Sequence, residues 1–111
     1  MPDATLNAYR ASLPVNANSG KIAAFLARKL AKVTVVRKNR EKEIDVRPLV
    51  QDLRATDPET VELQLRTTVS TPGIKPLEFF AWLFDLTEEQ VYNTRIVKIW
   101  SRAEQGPGTE E

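Results

Sequence analysis

Val61-Glu62-Leu63-Gln64-Leu65-Arg66-Thr67-Thr68-Val69 alternates without a break, with Val61, Leu63, Leu65, Thr67 and Val69 on one side and Glu62, Gln64, Arg66 and Thr68 on the other. A period of two over nine residues predicts a strand with one dry and one wet face, the pattern of antiparallel sheets. Thr56-Asp57-Pro58-Glu59, just before it, is turn chemistry, so the preceding segment is expected to run antiparallel to it.

Upstream, Lys32 to Lys38 (KVTVVRK) is rich in β-branched residues and alternates Val33 and Val35 against Thr34 and Val36, which predicts a strand. Asn39-Arg40 reads as a turn, and Glu43 to Val46 as the returning strand, with Ile44 and Val46 inward and Asp45 and Arg47 outward. Pro48 cannot donate to a ladder and marks a sheet edge, a bulge or the strand's end. Leu49, Val50 and Leu53 fit a helical turn or a bent continuation of the strand, and continuation is preferred. At the start of the chain, Tyr9, Ala11, Leu13 and Val15 alternate with Arg10, Ser12 and Pro14, giving a first strand over Leu6 to Val15. Asn18 and Ser19 are capping candidates for a helix over Ser19 to Leu30, in which Ile22, Ala23, Phe25, Leu26 and Leu30 recur at helical spacing. Arg28 and Lys29 suit that helix's negative end.

Downstream, Thr71-Pro72-Gly73 is a loop and Pro76 suits the first position of a second helix carrying Leu77, Phe79, Phe80, Ala81, Trp82, Leu83 and Phe84. Thr87-Glu88-Glu89-Gln90 has the form of a capping box opening a short turn. Tyr92 to Trp100 predicts the last strand, with Val97 and Ile99 alternating against Ile96, Lys98 and Trp100. The expected order is β-α-β-β-β-α-β: one α+β domain over residues 1–101, a ferredoxin-like two-layer sandwich with an antiparallel-rich sheet and two helices on one face. Residues 102–111, polar and acidic, are expected to be a disordered tail.

With 111 residues the chain fits one domain, and about 65% of the unfolded surface should be buried. Neither Cys nor His occurs, so this chain alone supplies no iron–sulfur ligation, ordinary zinc site, thiolate nucleophile or Ser-His-Asp catalysis. No cofactor and no metal are expected in it, since clustered acids and phosphate-cradling glycines are also missing. The start MPDATLNAYR is no signal peptide, and the longest apolar run, FFAWLF, is far short of a membrane span. A soluble, cytoplasmic protein with no membrane partner is expected.

Net charge is +1, yet residues 1–54 hold eleven Lys/Arg against five Asp/Glu, while residues 55–111 hold five against ten. The densest stretch is Arg37 to Pro48, RKNREKEIDVRP, with five basic and three acidic residues around the expected turn. Arg37, Lys38, Arg40 and Lys42 form a basic hairpin tip that could meet several phosphates at once, with Lys29 and Lys32 nearby. The plainer alternative is that these charges solvate a hairpin and discourage edge pairing. No aromatic lies between Phe25 and Phe79 to stack bases.

The segment EIDVRPLV resembles a motif of the radical-SAM-linked protein family, a bacterial family of unknown function whose members stand alone or are fused behind cobalamin-binding-type radical SAM proteins. ATLNAYRASLP, KVTVVRKNREKEIDVRPLV, GIKPLEFFAWLF and YNTRIVKIW extend the likeness over residues 4–100. The resemblance is to the family's C-terminal half. Asp45, Arg47 and Pro48 match its motif directly; Lys75 stands where the family usually has Arg, and Thr94-Arg95-Ile96 where it has Arg-Thr-Gly, so Arg95 is a looser match. The resemblance implies work beside a radical SAM protein, with RNA modification as one setting, and supplies no reaction.

Three roles follow. The first is a non-catalytic accessory domain of a radical SAM system, binding RNA through the basic hairpin. The alternative is a protein–protein docking module contacting a radical SAM partner or a missing N-terminal half, with Trp82, Phe84, Tyr92 and Trp100 as contact candidates. The third, catalysis by Asp45 with Arg47 or Arg95, is set below a structural ion pair, because a cation beside an Asp favours a fixed bridge over proton transfer. No catalytic residue is assigned.

Overall fold

A computed structural model describes residues 4–68 and 73–104. It is an α+β domain built on a four-stranded antiparallel sheet, a separate two-stranded hairpin and three short helices among the described residues. Strand β1 (Ala4–Ser12) pairs with β5 (Thr60–Thr68) in an unbroken antiparallel register from Ala4↔Thr68 to Ser12↔Thr60. β4 (Val50–Asp57) lies on the far side of β5, and β6 (Arg95–Glu104) on the far side of β1, so the order across the sheet is β4-β5-β1-β6. As the alternation requires, Val61, Leu63 and Leu65 of β5 are buried, and the register places Ala11 and Tyr9 of β1 beside them.

A single core cluster joins this inner face to α1 (Ser19–Leu26) through Ile22 and Phe25, and to α2 (Pro76–Leu83) through Phe79, Phe80 and Leu83. The hairpin of β2 (Lys32–Arg37) and β3 (Arg40–Asp45) reaches the same cluster through Val33, Val35 and Ile44. Phe79 stands at its centre, edge-on to Phe25 at 5.2 Å and to Phe80 at 5.8 Å. Asn18 caps α1 by accepting the Lys21 N–H, and Pro76 opens α2 at the position where its missing N–H costs nothing. The capping box at Thr87 is present in both directions, with Thr87 and Gln90 each accepting the other's backbone N–H.

Several expectations are corrected. The first helix stops at Leu26, not Leu30, and Leu30 is 50% exposed. Beyond Leu26 the chain tightens, with the Arg28 N–H donating to the Phe25 carbonyl, and turns to deliver Ala31 to the core. The hairpin turn is Lys38-Asn39, one residue earlier than expected, with φ of 52° and 64°. Two left-handed residues make the tight turn whose twist matches its strands; Asn tolerates this and Lys does so at about 1 kcal/mol.

The segment after Asp45 does not continue β3. Arg47–Leu49 forms a 3₁₀ turn and the chain then enters the other sheet as β4. Pro48 is thus a strand terminator, and the described residues hold six strands where five were expected. Near the end, the capping box commits Glu88–Tyr92 to helix α3, so β6 starts only at Arg95. Ile96, opposite Ala11, packs against the core while Val97 faces solvent, so of the two alternating sets it is the Ile96 side that faces inward. An irregularity between Ala8/Tyr9 and Trp100/Lys98 leaves Ile99 as an extra residue, and from Trp100 onward the alternation changes phase. Arg102 to Glu104 belong to β6 rather than to a tail; residues 105–111 and Val69, the expected end of the alternating strand, lie outside the described residues. Among the described residues no helix is long and apolar enough to cross a membrane.

Candidate nucleic-acid interface

The hairpin register sorts its charges by face. Val33↔Ile44, Val35↔Lys42 and Arg37↔Arg40 are direct partners, so the apolar core side continues outward into Arg37, Arg40 and Lys42. The opposite face takes Lys32, Thr34 and Val36 against Asp45, Glu43 and Glu41. With Lys38 at the tip, the four expected cations and Gly73 line one concavity of about 660 Å³. Glu41 and Glu43 are therefore not interspersed with these four cations; they share the other face with Lys32.

The four cations are not equivalent. Arg37 forks onto Glu78, its Nη1 donating to Oε2 at 2.6 Å and its Nη2 to Oε1 at 2.7 Å, and it also donates to the Gly73 carbonyl. Glu78 in turn accepts the Lys75 N–H at the start of α2, where a negative charge complements the helix dipole. Directly opposed Arg37 and Arg40 would repel, and Glu78 removes that repulsion by neutralising Arg37. Arg37 is thus a strut between hairpin and α2. Among the described residues no carboxylate pairs with Lys38, Arg40 or Lys42.

The Arg37 hydrogen bonds hold the Glu78 carboxyl below its ordinary value of 4.5, outweighing the opposing effect of partial burial, and the same bond raises Arg37. A depressed folded pKa means the pair's stabilisation is complete above pH 4.5 and is lost as pH falls through the lower folded value. Glu78→Gln is accordingly expected to be the less stable protein at pH 7 and to lose stability less steeply than wild type below pH 4.5. Urea midpoints measured across that range check it; parallel slopes would mean that the bridge contributes nothing.

Asp45 and Arg47 serve the scaffold. Asp45 does not bridge to Arg47: its Oδ1 accepts the Ala31 N–H at 2.9 Å and the Arg47 N–H at 3.2 Å. Arg47 instead donates to the carbonyls of Leu26, Arg28 and Val50 and lies 5.4 Å over the Phe25 ring. The expected ion pair is absent because both groups are already engaged by backbone. Asp45 and Pro48 border a second cleft of about 540 Å³ with Leu49 and Arg66, but the Asp45 oxygen facing the chain is taken up by two N–H groups. Arg95 opens β6 opposite Ser12, and no hydrogen bond or ion pair joins it to Asp45 or Arg47. Lys75 is the N-cap residue of α2. Lys29 has no part in the concavity, and Lys32 pairs with Glu43 across the outer face.

Of the aromatic candidates for docking, Phe84 is buried and Trp82 packs against Phe25 and Phe79, with Arg28 over its ring. Tyr92 is 90% exposed and Trp100 37%. Sequence reasoning missed Glu78, whose pairing with Arg37 spans 41 residues. Its only local signal was an acid in the first turn after Pro76, which reads as a capping residue. Comparisons with protein families, with curated proteins and with solved structures find no match for this chain.

Proposed function

We propose that this chain is a non-catalytic accessory domain that holds structured RNA on the concave side of its basic hairpin and works beside a radical SAM enzyme. The observation that carries the RNA reading is the segregation of Arg37, Arg40 and Lys42 onto one hairpin face, around a concavity whose cations Lys38, Arg40 and Lys42 lack carboxylate partners among the described residues. Three unneutralised cations set on a strut-held hairpin are suited to successive phosphates. Among the described residues no aromatic lines the concavity, so the contact reads backbone and shape rather than bases. The sheet order β4-β5-β1-β6, with helices and hairpin on one core, supports reading the fold as a ferredoxin-like sandwich with the β2–β3 hairpin inserted after the first helix. The radical SAM context rests on the resemblance around EIDVRPLV; with no Cys here, the iron–sulfur cluster belongs to the partner.

A stem-loop RNA titrated by fluorescence anisotropy tests this. Three phosphate contacts give a log–log salt slope of about −2 to −3 between about 50 and 200 mM salt. The Lys38→Ala/Arg40→Ala/Lys42→Ala variant is expected to lose roughly tenfold or more in affinity and most of that slope, with its urea midpoint unchanged. Absence of binding at the lowest salt, or a variant that binds as wild type does, refutes the RNA reading.

A further inference from the structure

An open sheet has two edge strands, each with a row of backbone N–H and C=O groups facing outward, and natural proteins blunt such edges with charge, bulges or cover. The two edges here are treated differently. β4 carries Asp52, Arg54 and Asp57, its pairing with β5 is irregular at two places, and its large apolar residues Val50 and Leu53 are buried. β6 is ten residues long, has one irregularity, and leaves Val97 63%, Ile99 41% and Trp100 37% exposed.

The charges also differ. Arg10 and Arg54, on the outer face, are both neutralised by Glu62. The three cations of β6 have no carboxylate partner among the described residues: Lys98 lies over the Tyr9 ring and Arg102 over the Trp100 ring, and Arg95 is exposed. Among the described residues β6 therefore has no strand on its outer side, and this edge is at once apolar and basic.

We infer that β6 is a docking edge for an extended segment of another protein that carries acidic and apolar residues on one face and adds beside it as a fifth strand. Backbone hydrogen bonds along the edge supply affinity; Val97 and Trp100, opposite Arg10 and Ala8 on the outer face, receive the apolar side chains, and Arg95 and Arg102, opposite Ser12 and Leu6 on that same face, select acids. A second copy is the poorer occupant, because self-pairing brings the three cations of each β6 along one seam, and like charges close across strands repel.

The test is a ten-residue peptide with Thr at every second position and Glu and Val sharing the face between, titrated into the isotope-labelled full chain and followed by amide NMR, beside a peptide with Lys in place of Glu. The acidic peptide is expected to shift the amides of β6 and the Trp100 indole, with the Lys peptide weaker by about tenfold or more. Val97→Lys/Ile99→Lys, at two exposed positions, should abolish the response while the α2 signals stay in place. The inference is overturned by equal response to both peptides, by shifts confined to the hairpin, or by no response. It is equally overturned if the chain self-associates through β6, abolished by Val97→Lys, or if oligouridine shifts the β6 signals where the acidic peptide does not. RNA binding at the hairpin is a separate measurement, and neither result decides the other.

Discussion

Truncating Phe79 to alanine is expected to lower the unfolding free energy by about 3–5 kcal/mol, the usual cost of removing a fully buried aromatic ring. Phe79 is fully buried and touches three other rings: Phe25 from α1, Phe80 from its own helix and Trp82 at 6.2 Å. It is therefore the residue through which α1 and α2 are held to each other above the sheet. Neighbours drawn from different elements cannot all collapse into the gap, so most of the cavity should persist. A domain of this size has a total stability of about 5–15 kcal/mol, which puts the variant close to unfolding at body temperature. Urea denaturation followed by Trp fluorescence checks this, with Phe79→Leu as the milder variant at about 1 kcal/mol. A loss for Phe79→Ala no greater than that for Phe79→Leu would mean that the centre of the core lies elsewhere.

Replacing Arg47 by alanine should cost about 1–2 kcal/mol, although Arg47 sits at the surface end of the motif and pairs with no carboxylate among the described residues. Its guanidinium satisfies the carbonyls of Leu26 and Arg28 where α1 has run out of partners, and the Val50 carbonyl at the start of β4. Losing the donor leaves the part-buried Val50 carbonyl and two solvent-exposed carbonyls without it and removes the cation from the negative end of the helix, together worth about 1–2 kcal/mol. A lysine in place of Arg47 offers one compact ammonium where a planar fork meets three separate carbonyls, so Arg47→Lys should recover little of the loss. The diagnostic readout is hydrogen exchange. Amides of α1 should exchange faster in both variants, while those of β5 change only by the global loss of stability. If Arg47→Lys matches wild type in midpoint and exchange, fork geometry is not what holds the helix end.

The stretch Asp45-Val46-Arg47-Pro48 is a backbone clamp. Its side chains bind backbone on both sides of the passage from hairpin to sheet, and Val46 is buried between them. A chain that must leave one sheet, turn once and enter another needs its unpaired backbone groups satisfied there. The motif does this, which is reason enough for its composition without chemistry at Asp45. Any effect of Asp45 or Arg47 substitutions on RNA affinity should then follow the loss of folded protein, in contrast to substitutions at Lys38, Arg40 and Lys42.

How much could be read in advance depended on how local the cause was. β5 and the inward valines of β2, Val33 and Val35, were legible because the side-chain period alone selects the buried face. Pro76 and the Thr87 box were legible because caps act within a single helical turn. The ends of α1 and β6 were not. The cations near the end of α1 in the chain, Arg28 and Lys29, point to a longer helix, but the cation that caps it is Arg47, 21 residues from the Leu26 carbonyl it meets. In β6 the extra residue at Ile99 moves every later side chain to the other face, and a bulge leaves no mark in a pattern of apolar residues.

The candidate site divides in the same way. The four cations of the tip were visible in the chain as a cluster, and so was the absence of Cys and His that rules out several chemistries for this chain. Their alignment on one face was settled by where the turn falls. A turn at Asn39-Arg40 would shift the register, whereas Lys38-Asn39 pairs Arg37 with Arg40 and gathers the cations on the side of Gly73. Which cation is committed and which are unpaired was settled by Glu78, brought from 41 residues away by the docking of α2. Short-range periodicity and capping thus decide the elements, because their energies depend on neighbours in the chain. Register, helix length and the pairing of charges follow from contacts between elements, and these exist only once the core has closed.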